Sequence, residues 1–127
     1  MARYEDDLIL WAKEQAKALL ERRFADLDVG NLAIEISIVA QEEARVFCET
    51  LGKFMLAAFM GDANASIKLA EVRQKLRRTP SLARRMLDQD FLEAAWADAA
   101  LDAITRGRRL DAPESCPFNP KSLMAIL

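Results

Sequence analysis

The sequence has 127 residues, with 18 Lys or Arg, 20 Asp or Glu and no histidine. This length fits one domain with its own core, and a net charge of −2 predicts neither nucleic-acid nor membrane binding from bulk charge. The two cysteines form neither a disulfide framework nor a metal-ligand spacing. We expect a cytoplasmic protein with reduced thiols, because the acidic start is unlike a signal peptide and no apolar run is long enough to span a membrane.

The spacing of apolar residues predicts an all-α fold, an antiparallel helical bundle in a single domain of residues 1–127. The link at residues 24–27 is short, which places the first two helices antiparallel. The predicted helices cover residues 4–23, 28–60, 63–78 and 80–106, followed by a C-terminal tail with a short helix.

Two polar residues near the first link are predicted to have structural roles. Gln15 falls inside the apolar stripe of the first helix, where a buried amide needs a hydrogen-bond partner. Asp28 fits the N-cap of the second helix, because its carboxylate can accept hydrogen bonds from the unpaired amides of the first turn.

The second predicted helix is the spine of the bundle. At about 100° per residue, its apolar residues form one broad face, which is typical of a helix at the centre of a bundle. Glu43 interrupts this face, and we expect it to be paired inside the fold. The face consists of Leu32, Ile36, Val39, Ala40, Phe47, Thr50, Leu51, Phe54 and Ala58.

The third predicted helix lies in the most basic part of the chain. The net charge is −5 over residues 1–50, +6 over residues 51–87 and −3 over residues 88–127. Such a segment can meet phosphates or an acidic partner, but it lacks the interleaved aromatic residues that stack single strands. We therefore favour contacts within the chain or between subunits, and keep nucleic acid as the alternative. The basic segment, residues 68–85, contains Lys68, Arg73, Lys75, Arg77, Arg78, Arg84 and Arg85.

The fourth predicted helix begins at Pro80 and ends before Gly107, which fits the first residue after a helix. A second apolar patch, opposite its main face, includes Leu92 and Trp96. Either the tail or another subunit must cover this patch, so Leu92 and Trp96 are candidate partner-binding residues. The main face consists of Leu82, Met86, Leu87, Phe91, Ala94, Ala97, Leu101 and Ile104.

The tail ends in a short apolar segment that we expect to pack back on the bundle. Asn119 followed by Pro120 looks like an N-cap followed by a first-turn proline, which predicts that a short helix begins there.

The whole chain resembles the bacterial family known as domain of unknown function 29. The resemblance implies an all-α bundle and carries over no catalytic or binding residue. The chain departs from the family pattern near residues 57–68, where the family tends to show a histidine and tryptophans. The matching residues are Tyr4, Asp7, Trp11, Glu14, Gln15, Leu19, Arg23, Phe24, Leu27, Asp28, Asn31, Leu32, Ala33, Glu35, Ile36, Glu43, Arg45, Pro80, Ser81, Leu82, Cys116, Pro117 and Phe118.

Candidate chemistry is sparse. Glu43 and Asp90 both project from otherwise apolar faces, but di-metal helical bundles also need histidines, and the chain has none. A serine or cysteine nucleophile would likewise lack its usual base. We expect no enzyme activity, no metal and no cofactor. Glu43 and Asp90 are predicted to have structural roles, in which each meets an Arg or Gln side chain or lies at a wet edge of the bundle.

The sequence therefore predicts a non-catalytic protein-interaction module, acting through self-association or as an adaptor or antitoxin-like partner of another protein. The alternative is a nucleic-acid-associated module that uses the basic segment.

Overall fold

The computed structural model describes residues 1–127 and contains helices and no strands, which confirms the all-α class. Five α-helices are joined by turns and by two 3₁₀ helices, at Phe24–Asp26 and Pro80–Leu87. The α-helices are α1 at Leu8–Leu20, α2 at Val29–Phe59, α3 at Ala65–Arg78, α4 at Gln89–Thr105 and α5 at Pro120–Ile126.

The chain divides into two compact units, which we call the N-terminal unit (residues 1–42) and the C-terminal unit (residues 43–127). The boundary falls within α2. That the two units form one domain stays a prediction. None of the helices combines the length and the apolarity that crossing a membrane requires.

Three helices end in the same local motif, in which a residue with positive φ closes the last turn. Gly61 (φ 68°) follows α2 and Gly107 (φ 83°) follows α4, as expected for a residue without a Cβ. After α1 the position is held by Arg22 (φ 58°). At this end Arg22 N donates to Leu19 O (3.1 Å) and Arg23 N to Ala18 O (2.8 Å), the two bonds of a Schellman motif.

The C-terminal unit contains the main core of the protein. The second half of α2, α3, α4 and α5 all contribute fully buried side chains to it, including Phe47, Val72, Trp96 and Leu123. Helices α2 and α4 approach backbone to backbone at Gly52, where an added Cβ would lie 2.2 Å from Ala95 O. A glycine inside α2 is explained by this approach.

The predicted fourth helix over residues 80–106 is corrected by the structure, which has a 3₁₀ helix over residues 80–87 and begins α4 at Gln89. Asp88 caps α4, since its carboxylate accepts from Asp90 N at 2.9 Å. The break has a packing reason. In one straight helix, the buried residues of the first part (Leu82, Met86) would point about 100° away from those of the second part (Leu92 to Ala103).

The same change of phase reverses the predicted faces of α4. Leu92 and Trp96 are 0% exposed, whereas Leu101 and Ile104 of the predicted main face are 65% and 57% exposed. The predicted main face assumed one continuous helix over residues 80–106, which the chain does not form.

The tail covers the patch around Trp96, which settles the choice between tail and subunit in favour of the tail. Trp96 Nε1 donates to Pro113 O (2.9 Å), and Cys116 N donates to Glu93 Oε2 (2.8 Å). Helix α5 begins with a capping box at Asn119, as predicted for Asn119-Pro120.

Candidate functional site

The broad apolar face predicted for α2 is buried only in part. Phe47, Leu51 and Phe54 lie in the core of the C-terminal unit. In the N-terminal unit, Ile36 and Val39 from the same predicted face are 67% and 66% exposed. The expectation that the entire helix lies at the centre of a bundle is therefore corrected for its first half.

The N-terminal unit has many more exposed than buried hydrophobic residues. Its residues account for 12 of the 20 exposed large hydrophobic side chains, although it has only a third of the chain. Its buried hydrophobic residues are Trp11 and Ala18. We call the exposed set the apolar surface: Met1, Leu8, Ile9, Leu10, Leu19, Leu20, Phe24, Val29, Ile34, Ile36, Ile38 and Val39.

The apolar surface is organised along the helices. On α1, at about 100° per residue, Leu8, Leu19, Ile9 and Leu20 fall within one third of the circumference. On α2, the exposed stretch from Val29 to Gln41 carries one charged residue, Glu35.

Beneath this surface, a hydrogen-bond network joins α1 to the start of α2. The Asp28 carboxylate accepts from Trp11 Nε1 (3.1 Å) and from Asn31 Nδ2 (2.8 Å). It also accepts from Asn31 N at 3.4 Å, which is the N-cap geometry. Asp28 N donates to Gln15 Oε1 (2.8 Å), so the buried Gln15 pairs with backbone as a buried amide must.

Tyr4 extends the network to the next turn of α2. Its hydroxyl donates to Glu35 Oε1 (2.5 Å), and its ring packs edge-on against Trp11 with the centroids 4.9 Å apart. The hydrogen bond to Glu35 raises the pKa of Tyr4, and burial adds to this effect. The hydrogen bonds from Asn31 and then from Trp11 lower the pKa of Asp28 against the opposing effect of burial.

The chain matches the family model for a domain of unknown function, DUF29, over residues 3–126. The chain belongs to the DUF29 family. No curated protein and no solved structure matches it. Six residues on which the resemblance rests, Tyr4, Trp11, Gln15, Asp28, Asn31 and Glu35, make up this one network.

Sequence reasoning identified two members of this network in the DUF29 chain, Gln15 and Asp28, and missed its connections. The Trp11 and Asp28 bond spans 17 residues and the Tyr4 and Glu35 bond spans 31. The sequence does contain one signal for these connections, which is the clustering of Tyr, Trp, Gln, Asp and Asn in the first two helices. Polar groups of this kind need hydrogen-bond partners when they are buried.

The basic segment of this DUF29 chain does not form one face. On α3, Lys68 and Lys75 lie on one side of the buried Val72, while Arg73 and Arg77 lie on the other. Arg73 Nη2 donates to Ile126 O (3.0 Å), at the end of α5, where a cation complements the helix dipole. Arg84 and Arg85 are exposed on the second 3₁₀ helix, outside α3.

Glu43 and Asp90 are not a buried pair. Glu43 is about one-third exposed and lies 3.7 Å from the Nε atom of Arg78, whose side chain is 81% exposed. Asp90 is exposed in the first turn of α4, where a carboxylate is favoured by the helix dipole. Sequence position on an apolar face overstated the burial of Asp90, because the true phase of α4 turns that face to solvent.

The remaining candidates are two apolar residues of α4, the two cysteines and possible metal ligands. Leu92 and Trp96, expected as partner-binding residues, lie inside the core and cannot form a surface. Burial raises the pKa of both Cys48 and Cys116, which disfavours the reactive thiolate. No group of three or more Cys, Asp or Glu side chains is placed to hold a metal ion.

Proposed function

We propose that this DUF29 protein is a non-catalytic protein-interaction module that associates through the apolar surface of its N-terminal unit. One observation carries the proposal: 12 large hydrophobic side chains are exposed on 42 residues, next to a network that holds α1 and α2 in place. Exposed apolar surface on this scale marks an interaction site in a soluble protein.

The energy of association would come mainly from covering exposed apolar side chains. Full burial of an Ile or Val side chain stabilises by about 1.5–3 kcal/mol. Ile36 and Val39 are about two-thirds exposed, so covering each would contribute about 1–2 kcal/mol. The network joins α1 to the start of α2 before binding, so these helices need less ordering on association.

A second copy of the chain is the first partner to test. The stretch of α2 from Val29 to Gln41 carries only one charged residue, so it needs no surface of opposite charge on its partner. Light scattering after size-exclusion chromatography, over a range of protein concentrations, should show a mass above 14.3 kDa. If the protein is monomeric throughout, self-association is refuted, and affinity capture with the intact chain as bait then tests for a different protein partner.

A matched pair of variants locates the surface. Ile36→Glu places a charge on the apolar surface, whereas Leu101→Glu makes the same type of change at a side chain that is 65% exposed in the C-terminal unit. We expect Ile36→Glu to abolish association and Leu101→Glu to leave it intact, with equal helix content by circular dichroism. Equal effects of the two variants would contradict the assignment to the N-terminal unit.

A further inference from the structure

The N-terminal unit has only a small core of its own. Two hydrophobic residues, Trp11 and Ala18, are buried among its 42 residues. Units of about 40 residues usually need additional stabilisation, and oligomerisation is one common form of it. The exposed apolar residues of the unit are the side chains from which such a contact would be built.

On α1, one side of the helix is apolar and exposed from its first residue to its last. At about 100° per residue, the exposed residues of this side fall within one third of the circumference, and no charged residue lies among them. They recur every three or four residues, as in helices that pack in bundles. The members of this stripe are Leu8, Ile9, Ala12, Ala16, Leu19 and Leu20.

On α2, a second stripe begins at the first residue of the helix. Its members have the alternating three- and four-residue spacing of side chains that interlock between helices in coiled coils. Three of them are 66–69% exposed, and Leu32 is partly buried. The stripe carries no charge until Glu43, the next position of the repeat, ends it. Its members are Val29, Leu32, Ile36 and Val39.

The two stripes lie on the same side of the hairpin that α1 forms with the start of α2. Tyr4 bonds to Glu35, whereas Trp11, further along the chain, bonds to Asp28, just before α2. The two segments therefore run antiparallel. Each stripe lies roughly a quarter turn, in the direction of rising residue angle, from the side of its helix that faces the other. Because antiparallel helices reverse the sense of rotation, both quarter turns lead to one side, which we call the hairpin face.

The estimated area of the hairpin face overlaps the range of dimer interfaces. Its seven large side chains, all those of the two stripes except the alanines and Leu32, are 46–86% exposed. A fully exposed aliphatic side chain of this size contributes about 60–120 Å² of apolar surface, so two copies would cover roughly 550–1,100 Å². Apolar atoms make up about 65% of a homodimer interface, so the whole contact would bury roughly 850–1,700 Å². Specific, stable interfaces bury about 1,200–2,000 Å².

We infer that two copies of the chain pack their hairpin faces against each other in a two-fold four-helix bundle, built from α1 and the start of α2 of each copy. A two-fold contact presents the same surface from both sides, so charges on it would face like charges. The hairpin face avoids this repulsion, because neither stripe contains a charged residue. Each helix of such a bundle buries one stripe, so the second copy supplies the core that the N-terminal unit lacks. The inference rests on the proposed function and adds the partner and the arrangement.

The concentration dependence of hydrogen exchange provides the first test. If a second copy completes the N-terminal unit, the fraction of opened units rises with the inverse square root of protein concentration. Diluting the intact chain by about 100-fold should therefore speed exchange of the α1 amides about tenfold and leave the α4 amides unchanged, as measured on peptides by mass spectrometry. Exchange in α1 that does not respond to dilution would overturn the inference.

Opposite charges at one position test whether the face meets itself. Ile36→Glu and Ile36→Lys should each have the monomer mass of 14.3 kDa in light scattering, because like charges would meet. An equimolar mixture of the two should recover the mass of a dimer, since opposite charges then meet, and this recovery would also show that both variants fold. The matched controls are Leu101→Glu and Leu101→Lys, at a position that is 65% exposed in the C-terminal unit. Each control should dimerise alone.

The outcomes separate this inference from the proposed function. A mixture that stays monomeric, while the unaltered chain dimerises, would overturn the two-fold arrangement and leave self-association in place. If the two variants fail to fold, the dilution experiment on the unaltered chain remains decisive. An unaltered chain that is monomeric at every concentration would also overturn the inference. In that case, binding of a different protein that Ile36→Glu abolishes would still support the proposed function. Association that Ile36→Glu leaves unchanged would refute both.

Discussion

Gly52 makes the sharpest stability prediction, because its environment is defined by backbone atoms. A Cβ built on Gly52 would lie 2.2 Å from Ala95 O, 2.9 Å from Ala95 C and 3.2 Å from the Cβ of Ala99. The first two atoms belong to the main chain of α4 and cannot rotate away. Gly52→Ala therefore forces α2 and α4 apart by roughly 1 Å, a shift of the kind that makes overpacking costly.

The magnitude follows from two opposing effects. Overpacking of a close-packed core, including the backbone shifts it forces, costs about 1–3 kcal/mol. Replacing glycine by alanine inside a helix returns about 1 kcal/mol through helix propensity. Because the added Cβ meets main-chain atoms, the upper half of the overpacking range applies, about 2–3 kcal/mol. We therefore expect Gly52→Ala to lower the free energy of unfolding by about 1–2 kcal/mol.

Gly30 is the matched control, since it lies in the same helix with nothing within 4 Å of an added Cβ. Gly30→Ala should raise the free energy of unfolding by about 0.5–1 kcal/mol. Urea unfolding followed by both tryptophan fluorescence and circular dichroism measures the two variants. A Gly52→Ala protein as stable as the unaltered chain would refute the close approach of α2 and α4, and two variants of equal effect would refute the reasoning that separates them.

The remaining predictions concern helix ends and titration. Arg22→Gly should raise the free energy of unfolding by up to about 1 kcal/mol, since glycine adopts the positive φ of Arg22 without a Cβ penalty; destabilisation in urea would contradict this. Asn119→Ala should cost about 1 kcal/mol through loss of the capping box of α5, and thermal melts will show it, with the exposed Ser115→Ala as control. The lowered pKa of Asp28 means that its contribution to stability is present above pH 3.8 and is lost as pH falls through the lower folded pKa. The stability of Asp28→Asn should therefore depend less on pH in this acid range. An identical loss of stability with falling pH in the two proteins would argue against this. Tyr4 is the only tyrosine of the chain, and its ultraviolet titration should have a midpoint above pH 10.0 that falls in Glu35→Gln.

The sequence predicted best those features that short segments encode. The bounds of α2, expected at residues 28–60, agree with Val29–Phe59 to within one residue, because Asp28 and Gly61 mark its two ends locally. The short α5 was likewise readable from Asn119-Pro120. Such signals act within one turn of helix, so they survive without knowledge of the tertiary fold.

Features that depend on tertiary packing were not readable in the same way. The helix over residues 80–106 keeps its apolar spacing across Asp88, yet the core requires two different phases on either side of that residue. Burial of Ile36 could not be judged from periodicity, since a stripe shows which residues share a face but not whether anything covers it. The network around Asp28 joins positions 17 and 13 residues apart, beyond the range of local patterns.

The three helix ends closed by Arg22, Gly61 and Gly107 also bear on how the chain folds. Each is made by hydrogen bonds that span no more than five residues, so each can form on the submicrosecond to microsecond timescale of helix formation, before any distant contact exists. By contrast, the bond from Arg73 to Ile126 spans 53 residues and must wait for closure of a long loop. We therefore expect the turns to be fixed early and the docking of α5 to come late. Pulsed hydrogen exchange would contradict this order if the amides of α5 were protected as early as those of α2.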